Sequence, residues 1–269
     1  MPPPVVDLWT NLFFDPMLNI LLGLYAILFH NFGLTIIVFT IIVRLLILPL
    51  TLRQLNSAKA MSGLQPRLQE LQKRFGQDRE RLSKETWALY REHGVNPAGC
   101  ALPMLIQMPI WIGLYQAILF VLGDRPENLL ALADHMYPLA IFDRLVPVNP
   151  SFFGLNLATP DPTYIIAVLV GVSAFVQQKM TTLPSTDPQQ AQMNRMMTWM
   201  MPIMYGYFTV VVSSGLAIYW LVSNLIGIAI QYFVTGWGSL FPNQPPGQRG
   251  LGPVREFFGG LFGGGGRAS

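Results

Sequence analysis

The sequence predicts an all-α integral membrane protein of five transmembrane helices, N-terminus out and C-terminus in, with a cytoplasmic helical hairpin and an outer interfacial amphipathic helix. Three observations predict it. Of 269 residues, 52% are hydrophobic and only 12% charged, about half the ~25% charged share of a soluble domain. Five apolar runs, about 33–54, 98–122, 162–181, 196–213 and 215–236, approach or exceed the ~20 residues that a helix needs to cross hydrocarbon. The charges are also unevenly placed. Between positions 53 and 95 nine cations (Arg53, Lys59, Arg67, Lys73, Arg74, Arg79, Arg81, Lys84, Arg91) face five acids, whereas positions 124–161 carry Arg125 and Arg144 against five acids. Short cytoplasmic segments collect Lys and Arg, so the first loop is expected inside, and the second loop and the N-terminus outside.

The elements follow in chain order. "FFDPMLNILLGLYAILFHNFG", residues 13–33, is nearly long enough to span, but Asp15, Asn19, His30 and Asn31 interrupt it. It is expected to lie in the outer interface, with Gly33 as its joint to the first span. "MPPPVV" has no charged n-region and no small-residue cleavage site, which argues against a removable signal peptide. After the first span, Met61, Leu64, Leu68, Leu71 and Phe75 step by three and four, "GQD" at 76–78 breaks the pattern, and Leu82, Leu89 and Tyr90 resume it. That periodicity predicts a short antiparallel helical hairpin over 56–95, charged on its other faces. Asn96 before Pro97 suits the start of the second span. The tail from Trp237 is Gly- and Pro-rich and weakly basic, and is expected to be disordered. The domain organisation is thus 1–33 as external N-terminus and interfacial helix, 34–236 as the five-span core including the hairpin, and 237–269 as a cytoplasmic tail.

Arg44 is the residue that composition does not explain. In "TIIVFTIIVRLLILPL", residues 35–50, it is the one charge in a run from Leu34 to Leu52, roughly 12–15 Å from either end at 1.5 Å per residue. That depth costs about 2.5–3.5 kcal/mol on insertion scales. One reading is an arginine snorkelling to the cytoplasmic headgroups; the favoured one is an arginine facing a water-holding cavity inside the bundle. Polar groups in the other runs fit the second reading: Gln107 between Pro103 and Pro109, Gln177 and Gln178 in the third run, and Ser223 and Asn224 beside Tyr219 and Trp220 in the fifth. Each amide taken singly is better explained as an interhelical hydrogen bond worth about 1 kcal/mol. No acid lies within a run to pair with Arg44.

Several function classes lack their signatures. There is no G-x-x-x-x-G-K-[ST] and no H-E-x-x-H, the histidines 30, 93 and 135 are scattered, and Cys100 is the single cysteine. A nucleotide-driven pump, an intramembrane hydrolase, an enzyme, a metal site and a cofactor site are therefore not expected. Met180, Met193, Met196, Met197, Met200, Met201 and Met204 cluster near the inner face; the deeper ones fit gap filling, the others a surface for varied apolar segments.

The strings "IIVRLLILPLT", "LQPRLQELQKRFG", "LYREHGVNPAGCALPMLIQMPIWIGLY", "QQKM" and "SSGLAIYWLVSNLIGIAIQ" together resemble the bacterial YidC membrane protein insertases and their mitochondrial and chloroplast relatives, over residues from about 12 to 236. The resemblance implies a five-span core in the bacterial plasma membrane. It also implies a hydrophilic groove open to cytoplasm and lipid but closed outside, in which Arg44, Gln178 and Trp220 match family positions; with Gln107, Tyr219, Ser223 and Asn224 from the reading of the runs, these make up the expected substrate-binding set. Implied partners are nascent membrane proteins and the lipid bilayer, with a Sec-type translocon and ribosome or signal recognition components as further candidates and no direct nucleic acid site. The large outer domain of many Gram-negative members and the lipoprotein cysteine of Gram-positive ones are absent from this sequence, and the short tail lacks the extended cationic stretch that some members use on ribosomes. A small-solute or ion transporter with a midplane polar site is the alternative, although paired repeats are missing. A purely structural assembly factor is a third reading.

Overall fold

A computed structural model describes residues 8–94, 102–123, 132, 135–138, 145, 147–182, 188–237 and 240. The described residues are mostly helical. After a π-helical stretch, Thr10–Phe14, come α1 (Asp15–Ile27), α2 (Phe32–Gly63), α3 (Gln65–Phe75), α4 (Arg79–Glu92) and α5 (Leu102–Leu122). A two-residue hairpin, β1 (Ser151–Phe152) and β2 (Leu155–Asn156), precedes α6 (Ile165–Thr181), α7 (Pro188–Val211) and α8 (Ser214–Thr235). The helices divide between two compact units, and α2, α6, α7 and α8 each contribute to both. The breaks in α2 and α7 fall beside Pro49 and Pro202, where a missing N–H interrupts the helical ladder.

By length and composition, four helices among the described residues can cross a membrane: Thr10–Ile27, Phe32–Met61, Leu105–Leu122 and Ser214–Thr235. The chain is thus an all-α multi-pass membrane protein. Three of the four fall on the first, second and fifth runs read from the sequence, and the other, Thr10–Ile27, falls outside the five. The segment expected to lie in the interface is apolar enough to span once it is extended back to Thr10. The third run forms a helix of only 17 residues, and the fourth lies on α7, which opens on the polar sequence "PQQAQMNR".

The joint before α2 also differs from expectation. Gly33 lies inside α2, and the chain turns at Phe29 and His30, with φ of 57° and 55°. These are left-handed residues without glycine, so composition gave no warning of the turn. Asn31 starts α2: its Oδ1 accepts from Leu34 N–H at 3.0 Å, the N-cap bond that an Asn side chain supplies. Gly33 is needed for another reason, because a Cβ there would run into the Phe152 ring.

The first unit holds the apolar core. Leu18, Leu21 and Leu22 of α1, Phe32 and Ile36 of α2, Leu114 and Ile118 of α5, Val170 of α6 and Leu216 of α8 are all fully buried. α1 sits against α5 through a close approach at Gly113, where a Cβ would stand 2.7 Å from Met17 Sδ. α6 meets α7 at two glycines: a Cβ on Gly171 would lie 3.6 Å from the Pro202 carbonyl, and one on Gly206 3.6 Å from the Ala167 carbonyl. Small residues three or four apart let backbones pack closely where lipid provides no hydrophobic drive.

The segment before α6 belongs to the same unit. Phe153 and Gly154, with φ of 48° and 80°, make the tight turn that a two-residue hairpin loop requires. Downstream, the Ser214 N–H and hydroxyl both donate to the Thr159 carbonyl at 2.8 Å, and Asp161 accepts from Thr163 N–H at 2.8 Å and Ile166 N–H at 3.0 Å at the start of α6.

The second unit includes α3 and α4. Asp78 caps α4 by accepting from Arg81 N–H at 3.0 Å. Arg81 covers the Phe75 ring at one end, while at the other Arg67 Nη1 lies 2.8 Å from His93 Nε2. Contacts at both ends in this order make the pair antiparallel. The remaining halves of α6, α7 and α8 meet here through polar groups: Thr181 Oγ1 donates to Gln231 Oε1 at 2.9 Å, Thr182 and Thr198 hydroxyls lie 3.3 Å apart, and Phe175 packs on Trp199.

Candidate functional site

The site is built in the first unit from α2, α5, α7 and α8. Arg44 is the thirteenth residue of α2, about 18 Å along its axis at 1.5 Å per residue. Its guanidinium turns inward: Nε and Nη2 donate to one oxygen, Ser223 Oγ of α8, at 2.9 and 2.5 Å. Ser223 is buried, so the contact replaces water for two of the five guanidinium N–H donors.

Helical spacing on α8 makes two adjacent rows. Tyr219 and Ser223 stand four apart, as do Trp220 and Asn224, and residues four apart share a face. In the first row, the Tyr219 hydroxyl accepts from Gln107 Nε2 of α5, one helical turn from the Ser223 that holds Arg44. Arg44, Ser223, Tyr219 and Gln107 thus form one polar chain across three helices. In the second row, Trp220 stacks on Trp111 of α5 with ring centroids 5.9 Å apart and meets Tyr205 of α7 edge-on at 5.6 Å. Asn224 Nδ2 donates to Ser173 Oγ of α6 at 3.2 Å.

The electrostatics are one-sided. Lys84 pairs with Glu80 at 2.8 Å and His135 Nδ1 lies 2.8 Å from Asp15 Oδ1; no described carboxylate lies within ion-pair distance of Arg44. The groups within its electrostatic reach are the phenols of Tyr219 and Tyr205, which are neutral in their ordinary state. The guanidinium is therefore hydrogen-bonded but not neutralised. No group of three His, Cys, Asp or Glu that could hold a metal occurs among the described residues.

Six of the seven residues expected from sequence, Arg44, Gln107, Tyr219, Trp220, Ser223 and Asn224, converge here. Gln178 lies on the part of α6 that belongs to the second unit, where its backbone carbonyl accepts from the Thr182 hydroxyl at 2.7 Å. Sequence reasoning overlooked Trp111, Tyr205 and Ser173. For Trp111 a signal existed, since it stands four after Gln107 and shares its face. Tyr205 and Ser173 carried no such mark.

Comparison with known proteins gives this arrangement its class. Residues 24–239 match the 60Kd inner membrane protein family, a match that covers most of the chain. The chain belongs to that family, whose bacterial members are the YidC-type insertases. The membrane protein insertase MisCA of Bacillus subtilis is 40% identical over 210 residues, covering 77% of this chain and 71% of that protein. The membrane protein insertase YidC of Haemophilus influenzae is 42% identical over 207 residues, covering 76% of this chain and 33% of that protein. The chain therefore spans most of the Bacillus relative and about a third of the Haemophilus one. A crystal structure of an active YidC insertase with its first transmembrane domain resolved is similar at a TM-score of 0.55 and 27% identity, covering 82% of this chain and 45% of that chain.

Proposed function

We propose that the chain is a membrane protein insertase that binds polar or acidic segments of nascent membrane proteins around Arg44 and releases their apolar segments into lipid without nucleotide hydrolysis. It is a multi-pass protein of the bacterial plasma membrane and acts by binding, not by covalent catalysis. The observation that carries the reading is a guanidinium held inside the first unit by a serine, with no carboxylate among the described residues to neutralise it. A site of this kind takes its countercharge from a visitor. An isolated carboxylate is too costly to place in hydrocarbon; beside a guanidinium at ~4 Å, with an effective dielectric of ~20, it gains about 4 kcal/mol. Gln107, Tyr219, Ser223 and Asn224 offer the same segment hydrogen bonds, and Trp220 lines the site. Apolar side chains of the client then favour lipid by ~0.8 kcal/mol per CH₂.

The finer organisation belongs to the same proposal. The 162–181 and 196–213 runs complete a five-span core over 34–236 with the C-terminus inside, residues 1–33 form the external segment, the 56–95 hairpin stands in the cytoplasm, and 237–269 is the tail. Gln178 of the third span is a proposed substrate-contacting residue. A Sec-type translocon and ribosome or signal recognition components are proposed partners of the protein.

The test is reconstitution in liposomes with a single-span substrate bearing an acidic tail. Arg44→Ala should slow insertion about tenfold or more, given the size of the charge interaction, and should slow a neutral-tailed version less. Equal rates for Arg44→Ala and the unsubstituted protein on the acidic substrate would sink the attraction mechanism.

A further inference from the structure

One buried polar atom at the site has no hydrogen-bond partner among the described residues. Trp111 Nε1 is buried, and no group among the described residues accepts its hydrogen. Native interiors seldom leave a buried donor unmade, and each such atom calls for an explanation. Trp111 is placed where that explanation matters. It follows Gln107 by one helical turn on α5, its ring stacks on Trp220, and Gln107 hydrogen-bonds the Tyr219 hydroxyl beside Arg44. Ser213 Oγ, the other unmatched buried atom among the described residues, lies in the link between α7 and α8, away from these contacts.

The imbalance extends across the site. Arg44 has five N–H groups and directs two at one hydroxyl. The indole supplies one more donor and cannot accept. Donors left unused at this end of the site are matched to an incoming oxygen.

We infer that the Trp111 indole N–H is a substrate-positioning donor, which hydrogen-bonds an oxygen of the inserting segment when that segment displaces the stack of Trp111 on Trp220. The oxygen is a backbone carbonyl or an acidic side chain; both present the same acceptor. This rests on the insertase reading and adds a second anchor to it, one turn of α5 beyond Gln107. Where the oxygen is a backbone carbonyl, the anchor holds the chain in register while Arg44 binds the charge; where it is a carboxylate, the indole and the guanidinium share that group.

The test replaces the N–H without replacing the ring. Trp111 is exchanged by codon suppression for 3-benzothienylalanine, which has the shape of tryptophan with sulfur in place of N–H, and Trp111→Phe serves as a second variant. Both are reconstituted beside the unsubstituted protein, and insertion of acidic-tailed and neutral-tailed single-span substrates is timed. The expected result is a loss of about two- to tenfold, the worth of one hydrogen bond, with thermal unfolding in detergent unchanged for the isostere. Loss on both substrates assigns the oxygen to the backbone; loss on the acidic one alone assigns it to a carboxylate. Unchanged rates, or a loss that appears only together with reduced thermal stability, would overturn the inference. Failure of the unsubstituted protein to insert either substrate would instead overturn the insertase reading itself.

Discussion

The contact between α6 and α7 offers a prediction whose size can be worked from distances. A Cβ added to Gly206 would stand 3.6 Å from the Ala167 carbonyl oxygen and 3.9 Å from Gly171 Cα. Both are ordinary van der Waals separations, so Gly206→Ala places a methyl group where it fits, and the helix gains up to ~1 kcal/mol from losing a glycine. Gly206→Leu sends three more carbons toward α6. The nearest atoms there are backbone, which cannot rotate aside as a side chain would. Overpacking of this kind costs about 1–3 kcal/mol, a factor of roughly 5 to 150 in the folding equilibrium. Purified protein in detergent, unfolded by heat or by added denaturing detergent, should therefore rank Gly206→Ala at or above the unsubstituted protein and Gly206→Leu clearly below it. If Gly206→Leu unfolds at the same point as Gly206→Ala, the two helices do not meet at these glycines.

Further expectations come from single contacts. Ser223→Ala removes the oxygen that takes both Arg44 donors and should cost about 1–3 kcal/mol; the double variant with Arg44→Ala should be no less stable than Arg44→Ala alone, which a double-mutant cycle in detergent measures. Gly33→Ala forces the Phe152 ring aside and should cost about 1–3 kcal/mol, a loss that is not repeated when Phe152 is already alanine. Asp161 is pulled upward in pKa by burial, but the Thr163 hydroxyl and the amides of Ile166, Thr163 and Ile165 outweigh this and hold the carboxyl below its ordinary range. A depressed carboxylate adds stability that is present above its unfolded pKa of ~3.9 and lost as pH falls through the lower folded value. The protection factor of the Ile166 amide, its exchange rate relative to that of an unstructured peptide at the same pH, should therefore fall below pH ~4, and Asp161→Asn should remove that dependence.

How far the sequence could be read differs by element. α2, α5 and α8 were legible because long apolar runs report a helix in lipid without reference to anything else in the chain. The break between α3 and α4 was legible in the loss of three-and-four spacing at "GQD", which Asp78 completes as an N-cap. The turn at Phe29 and His30 was not, because neither residue type signals a left-handed backbone. Nor was the short β1–β2 hairpin, whose two-residue strands leave no periodicity to detect.

Sequence alone determined that the protein lives in a membrane and that Arg44 is out of place there, since hydropathy and charge are properties of each residue. It also singled out most of the polar residues that converge, through the same misfit with lipid. Which of them meet was decided by tertiary structure. Arg44 and Ser223 are 179 residues apart in the chain, and Gln107 and Tyr219 are 112 apart. Their contact depends on how far each helix is rotated about its axis, and that rotation is set by packing at positions such as Gly215 of α8, where a Cβ would lie 3.2 Å from Ile36 of α2 and 3.4 Å from Ile118 of α5. The stacking of Trp111 on Trp220, which leaves an indole N–H unspent, follows from the same rotation and has no local cause in either segment.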